Sequence, residues 1–147
     1  SRGGDLCVIA SYDPFVVLRV DPETGATATA QSSTPPFRAT DFRGATPPIP
    51  APDCDRHFVA LVNEVTRRDA GDMQTHRWVE MSEDGGLVGY SRPFVFDRPG
   101  MENATGLCAS GPEVLVTYES GDRQPHWMTF DWSVIRQSLR AAEPSYV

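Results

Sequence analysis

The sequence predicts an all-β fold built from short antiparallel strands. Runs rich in β-branched and aromatic residues recur at intervals of roughly 8–12 residues, and a turn signal follows each of them. The 147 residues include 13 prolines and 12 glycines, which interrupt the chain as often as tight turns require. This length suits a single domain, residues 1–147, that buries a core of its own.

The first strands are predicted in the first thirty residues. Leu6–Tyr12 and Phe15–Val20 are apolar runs separated by the turn dipeptide Asp13-Pro14. Asp21–Gly25 has the composition of a hairpin loop, and Ala26–Ala30 continues as a weakly alternating strand. We therefore expect one antiparallel unit here.

The middle of the chain repeats this pattern. The apolar run Phe58–Val62 and the alternating run Gln74–Met81 predict two strands. A hairpin turn at Ser82–Gly86 leads into Leu87–Ser91, and Pro93–Phe96 is predicted as a further short strand.

The last third predicts three more strands and the one helix. The strands are Thr105–Ala109, Glu113–Tyr118 and His126–Phe130. Asp131 is a suitable N-cap for a short helix over Trp132–Arg140, in which Val134, Ile135 and Leu139 would share one face.

Three similar strand–turn–strand units favour a β-propeller over a β-sandwich. We divide the chain into approximate blades at 6–37, 41–97 and 98–131, followed by the helix at 132–140. A β-sandwich interaction domain without any carbohydrate role is the alternative.

Charge and cysteine content exclude several classes of function. The net charge of −7, without a cluster of basic residues, argues against a nucleic-acid partner. No apolar run approaches the roughly 20 residues of a membrane span. The three cysteines form no CxxC pair, so we expect no zinc site. We also expect no other metal and no cofactor, and a reducing cytoplasm as the location of the protein. Cys7 and Cys108 lie in apolar runs and are predicted to be buried thiols.

Several motifs then resemble a known family. Ala10–Pro14 (ASYDP), Gly44–Ile49 (GATPPI), Leu61–Val65 (LVNEV) and Tyr118–Asp122 (YESGD) occur in that order. They resemble motifs of the five-bladed β-propeller glycosidases and phosphorylases, in particular the mannoside phosphorylase group.

A second set of motifs resembles the propeller domains attached to bacterial glycosyltransferases. It comprises Arg43–Thr46 (RGAT), Thr75–Val79 (THRWV), Ser91–Phe96 (SRPFVF), Gly100–Leu107 (GMENATGL) and Tyr118–Phe130. With the first set, the resemblance extends from about Leu6 to Leu139.

The resemblance implies a partial propeller. A five-bladed ring needs roughly 250 residues, so this chain would supply about three blades from the C-terminal part of the ring. The remaining blades, or a partner chain, would complete it. Asn63 stands where the family has a phosphate-binding His, and Glu119 stands where it has Gly.

The function implied is binding or processing of an oligosaccharide or sugar-phosphate. The chain would form part of a larger glycosyltransferase or glycosidase and would not be catalytic alone. The alternative is an active glycoside hydrolase or phosphorylase that uses paired carboxylates.

The candidate catalytic residues are acids at positions that match pocket-facing sites of the family: Glu64, Glu102 and Asp122. The candidate substrate-binding residues are Arg43, Asn63, His76, Arg77 and Tyr118. Each acid could instead lie at an exposed strand end. Arg77 could instead form a buried ion pair with Glu64 or Glu102.

Overall fold

The computed structural model describes residues 5–66, 73–121 and 124–141. In this part of the chain the backbone forms three antiparallel sheets and one short helix. The prediction of an all-β chain with one short helix near its C-terminus is confirmed.

The first sheet contains β1 (Leu6–Tyr12), β2 (Phe15–Val20) and β3 (Thr27–Ser33), in that spatial order. The loop between β2 and β3 is organised by Asp21. Its carboxylate accepts hydrogen bonds from the backbone N–H groups of the residues two and three positions later, at 2.8 and 3.1 Å. Gly25 closes this loop at φ +71°, a conformation that favours glycine.

The central sheet is the largest and has the order β12-β8-β7-β6-β4, with β5 also paired to β6. Its strands are β4 (Arg43–Gly44), β5 (Ile49–Ala51), β6 (Cys54–Thr66), β7 (Met73–Ser82), β8 (Leu87–Tyr90) and β12 (Arg140–Ala141). The hydroxyl of Thr46 accepts the backbone N–H of Leu61 at 3.0 Å, which fixes the turn between β4 and β5 against β6.

The third sheet contains β9 (Asn103–Ser110), β10 (Glu113–Glu119) and β11 (Pro125–Asp131), with β10 in the centre. Helix α1 (Trp132–Ser138) follows directly. The carboxylate of Asp131 caps it as predicted by accepting the backbone N–H of the second helical residue at 2.7 Å.

Both faces of the central sheet are covered. Alternate residues of a strand point to opposite faces, and in β6 they enter two different clusters. Ala60 and Val62 pack with Tyr12 and Phe15 of the first sheet. Leu61 packs instead in the cluster that contains the buried side chains of the third sheet and Ile135 of the helix. The three sheets are therefore stacked face to face.

The leading strands of the three sheets lie near one another. Strand β1 contacts β4, and β9 contacts β5 and β6. Each sheet then continues away from this region in chain order, except that β12 returns to the central sheet beside β8. Apart from β5 and β12, the spatial order of the strands in each sheet thus follows their order in the chain, and the described sheets do not form a closed ring.

Three local predictions were wrong. Pro93–Phe96 is not a strand, because only one bridge, between Phe94 and His76, forms there. Cys108 is exposed, since it lies on the outer face of the third sheet. Val134 is 58% exposed, because the buried side of the helix is formed by Trp132 and Ile135.

Candidate functional site

A row of three polar residues crosses the central sheet near its leading edge. Arg43 of β4 pairs with Asn63 of β6, which in turn pairs with His76 of β7. Directly paired residues of antiparallel strands point to the same face. Leu61, two positions before Asn63, faces the third sheet, and so this row faces the same way. The strand register thus brings together three of the predicted substrate-binding residues.

Arg43 supplies an exposed positive charge at one end of the row. Its Nη1 atom donates hydrogen bonds to the backbone carbonyls of Thr40 and Phe42, both at 2.9 Å. These bonds orient the guanidinium, and within the described residues its other nitrogens make no hydrogen bond. Arg43 can therefore donate to an anionic or hydroxyl-bearing ligand.

His76 lies at the other end of the row and is fully buried. Its Nε2 atom accepts the backbone N–H of Ala104 at 3.3 Å, so the ring proton is assigned to Nδ1. Burial lowers the pKa of His76 from 6.5 to about 4, against the opposing effects of the Glu102 carboxylate and backbone carbonyl. The imidazole is neutral at pH 7.

Asn63 and His76 each carry a buried polar atom without a partner. Neither Oδ1 of Asn63 nor Nδ1 of His76 has a hydrogen bond within the described part of the chain. With the assigned tautomer, Nδ1 is a donor and Oδ1 is an acceptor.

Glu102, a predicted catalytic acid, supports the loop that precedes β9. It is 1% exposed, and its carboxylate accepts backbone N–H groups of Phe96, Asp97 and Arg98 at 2.7, 3.0 and 3.2 Å. Three such hydrogen bonds occupy both oxygens of the buried side chain. The observed contacts of Glu102 are therefore structural.

Glu64 and Arg77 form an ion pair on the opposite face of the central sheet. Nε of Arg77 lies 2.6 Å from Oε2 of Glu64, and the two side chains are only 18% and 21% exposed. Arg77 also donates to the backbone carbonyl of Ser91 at 2.9 Å and lies over the rings of Phe42 and Tyr90. Arg77 was predicted either to bind substrate or to form a buried ion pair, and the structure shows the ion pair.

The candidate acids do not form a catalytic pair in the described structure. Glu64 points toward the first sheet with Arg77, whereas Glu102 lies beside His76 on the side of the third sheet. A glycosidase needs both carboxyl groups on either side of one glycosidic bond. Asp122, the third candidate, lies outside the described residues.

Tyr118 packs in an aromatic stack and is 6% exposed. Its ring is stacked on Phe96 at a centroid distance of 4.3 Å and on His126 at 5.1 Å. Burial raises the pKa of Tyr118, and the negative charges of Glu102 and Asp97 add to this effect. These contacts place Tyr118 in the interface between the third sheet and the loop before it.

A further polar network was not anticipated from the sequence. Arg136 of the helix donates to Glu80 at 2.6 Å and forms two hydrogen bonds with Asp53, at 2.6 and 2.9 Å. Nδ1 of His57 contacts the same Glu80 oxygen at 2.7 Å. The hydrogen bond from Arg136 is the largest cause of the lowered pKa of Asp53. The one sequence signal is that Arg136 lies within the predicted helix.

Two further features, a group of metal ligands and a membrane-spanning helix, are absent from the described residues. Within residues 5–66, 73–121 and 124–141, no three His, Cys, Asp or Glu side chains are grouped as metal ligands. The described residues include no helix long and apolar enough to cross a membrane.

No protein-family model matches the chain, and no curated protein or solved structure shows significant similarity to it.

Proposed function

We propose that this chain is a non-catalytic, carbohydrate-binding part of a β-propeller that takes an oligosaccharide or a sugar-phosphate. The observation that carries the proposal is the row Arg43–Asn63–His76. In this row an exposed cation lies beside an amide whose buried oxygen has no partner in the described structure.

The chemistry of the row suits a hydroxyl-rich ligand. Sugar hydroxyl groups both donate and accept hydrogen bonds, and the partly exposed Asn63 can offer its amide NH₂ group as a donor. The guanidinium of Arg43 offers planar donors that match a phosphate or a carboxylate. His76 is fully buried, and so it would not contact the ligand itself and forms the inner end of the row.

The absence of catalysis is supported by the contacts of the candidate acids. Glu102 is engaged by three backbone N–H groups, and Glu64 is paired with Arg77. Neither carboxylate would be available as a proton donor or nucleophile without losing these contacts.

Apolar residues exposed on the two outer faces of the stack favour the presence of additional sheets on both sides. Leu6 and Val8 on the first sheet are 49% and 42% exposed, and Leu115 and Trp127 on the third are 37% and 71% exposed. Exposed apolar sheet faces are typical of interaction surfaces. Further blades of the same protein, or a partner chain, would cover them and complete the ring.

Binding to mannose, mannobiose and mannose 1-phosphate, measured by titration calorimetry, tests the proposal. Arg43→Gln should weaken mannose 1-phosphate binding about tenfold, equivalent to about 1.4 kcal/mol, because it removes the charge. Asn63→Leu should weaken binding of all the sugars that bind. Arg19→Gln is the matched control, since Arg19 is an exposed arginine on the first sheet. Unchanged affinity in both site variants would refute the site.

Catalysis is tested separately with nitrophenyl mannosides. We expect no release of nitrophenol by the protein. Release that is abolished by Glu64→Gln, while the folded structure is retained, would refute the non-catalytic part of the proposal and leave the binding part intact.

A further inference from the structure

A cavity of about 440 Å³ lies between the first sheet and the central sheet. Its walls come from the facing surfaces of these two sheets, with Ile9, Tyr12 and Val17 on one side and Phe58 and Met81 on the other. The turn that follows β4 contributes two prolines to the same cavity. This cavity is on the face of the central sheet opposite to the row Arg43–Asn63–His76.

The lining contains no charged side chain among the described residues. Burying an unpaired charge in such surroundings is costly, and so the cavity disfavours ions. Tyr12 is 6% exposed, and its burial raises the pKa of the hydroxyl to about 12. The hydroxyl therefore remains protonated and can donate one hydrogen bond to an uncharged ligand.

The two sheets are joined at the margin of the cavity by polar contacts. Nε2 of Gln31 donates to the backbone carbonyl of Asp84 at 2.5 Å, and the hydroxyl of Ser33 donates to the carbonyl of Gly85 at 3.0 Å. These contacts attach β3 to the turn between β7 and β8. They hold the sheets in place although the space between them is not filled by side chains.

The position of the cavity limits what can occupy it. Its walls are the inward faces of two stacked sheets. A further sheet could pack on an outer face of the stack, but it could not enter the space between these two sheets. Its volume falls in the range of about 300–1,000 Å³ that is typical of small-molecule sites. A cavity of about 150 Å³ already accommodates benzene, and this one has roughly three times that volume.

We propose that the cavity between the first and central sheets binds one uncharged, mainly apolar molecule with one to three rings. This site is independent of the proposed carbohydrate site. Its ligand would enter between the sheets and pack on Tyr12, Phe15 and Phe58.

Fluorescence titration with the uncharged dye N-phenyl-1-naphthylamine tests the site. We expect binding of one dye per chain, and we expect Val17→Phe, which fills the cavity, to weaken it about tenfold or more. Val16→Phe is the matched control, because Val16 is the next residue of the same strand and does not line the cavity. Anilinonaphthalene sulfonate, which carries a negative charge, should bind more weakly than the uncharged dye.

Cysteine labelling gives a second measurement, and the variant that reports on Cys7 keeps every wall residue of the cavity unchanged. Cys7 lines the cavity, whereas Cys108 is exposed on the third sheet. With Cys54→Ser and Cys108→Ser, saturating dye should slow maleimide labelling of Cys7 severalfold. With Cys7→Ser and Cys54→Ser, the labelling of Cys108 should not change.

Several results would overturn the proposal. They are the absence of dye binding, equal affinity in Val17→Phe and the unmodified protein, stronger binding of the sulfonate, and protection of Cys108 instead of Cys7. The last result would locate the dye on the outer face of the third sheet. If Val17→Phe does not fold, the labelling of Cys7 alone decides the question.

Discussion

Replacing Glu102 by glutamine should destabilise the protein without touching any exposed surface. In the native protein one carboxylate oxygen accepts the N–H of Phe96, and the other accepts those of Asp97 and Arg98. A glutamine has only one oxygen acceptor, and so its NH₂ group must face at least one backbone N–H. Because the site is 1% exposed, water cannot readily replace the missing acceptor.

The size of this effect follows from these three contacts. One buried N–H without an acceptor costs about 1–3 kcal/mol. Retained hydrogen bonds lose their ionic character and roughly half of their strength. We therefore expect Glu102→Gln to lower the free energy of unfolding by about 2–4 kcal/mol.

Urea denaturation followed by tryptophan fluorescence measures this change. Glu113→Gln is the control, because Glu113 is an exposed acid at the start of β10 and should alter stability by less than about 0.5 kcal/mol. If Glu102→Gln unfolds at the same urea concentration as the unmodified protein, the three hydrogen bonds do not support the fold. The residue would then have to be reconsidered as a ligand contact.

Three further predictions concern other buried contacts. The pKa of His76 is about 4 in the folded protein and 6.5 as a free group. Its contribution to stability is therefore present above pH 6.5 and decreases toward pH 4, by up to about 1.4 kcal/mol per pH unit. Urea denaturation at pH 7 and pH 5 should show a smaller loss of stability in His76→Phe than in the unmodified protein. Arg136→Ala should lower the free energy of unfolding by about 1–3 kcal/mol in urea denaturation, since it removes a hydrogen bond to the largely buried Glu80. Gly85→Ala should lower the melting temperature more than Gly25→Ala, because both glycines have positive φ but only Gly85 has a side chain packed where the new Cβ would lie.

Each of these has a distinct result that would contradict it. An equal pH dependence in the His76 variant would mean that its buried ring does not resist protonation. Unchanged stability of the Arg136 variant would mean that the helix is held by Trp132 and Ile135 alone. Equal effects of the two glycine substitutions would mean that the side chain at Gly85 moves away without cost.

The strands could be predicted because they depend on local sequence patterns. Phe58–Val62 forms the centre of β6, and the turn signal at Ser82–Gly86 does lie between β7 and β8. The helix was predicted from the N-cap at Asp131, and only its exact end and its exposed side differ. Such features involve residues that are close together in the chain.

The roles of the polar residues could not be predicted with the same success. Neighbouring residues of a strand point to opposite faces, so a half-buried sheet would bury only one of His76 and Arg77; here both are buried from solvent to a large extent, because both faces of the central sheet are covered. The pair of Arg136 and Asp53 joins residues 83 positions apart, and no local pattern reveals such a contact. The ion pair of Glu64 and Arg77 was one of the two pairings considered for Arg77, and the paired strands β6 and β7 bring these two side chains together.

The short strand β12 has a consequence for how the chain folds. It pairs with β8, yet between these two strands the chain forms the whole third sheet and the helix. The outer edge of the central sheet is therefore completed by a segment that follows the third sheet in the chain. Detaching either of these two sheets must also disturb the other, so the central and third sheets should unfold together. A protein shortened to end at Asp131 would leave the edge of β8 unpaired and prone to association with other strands.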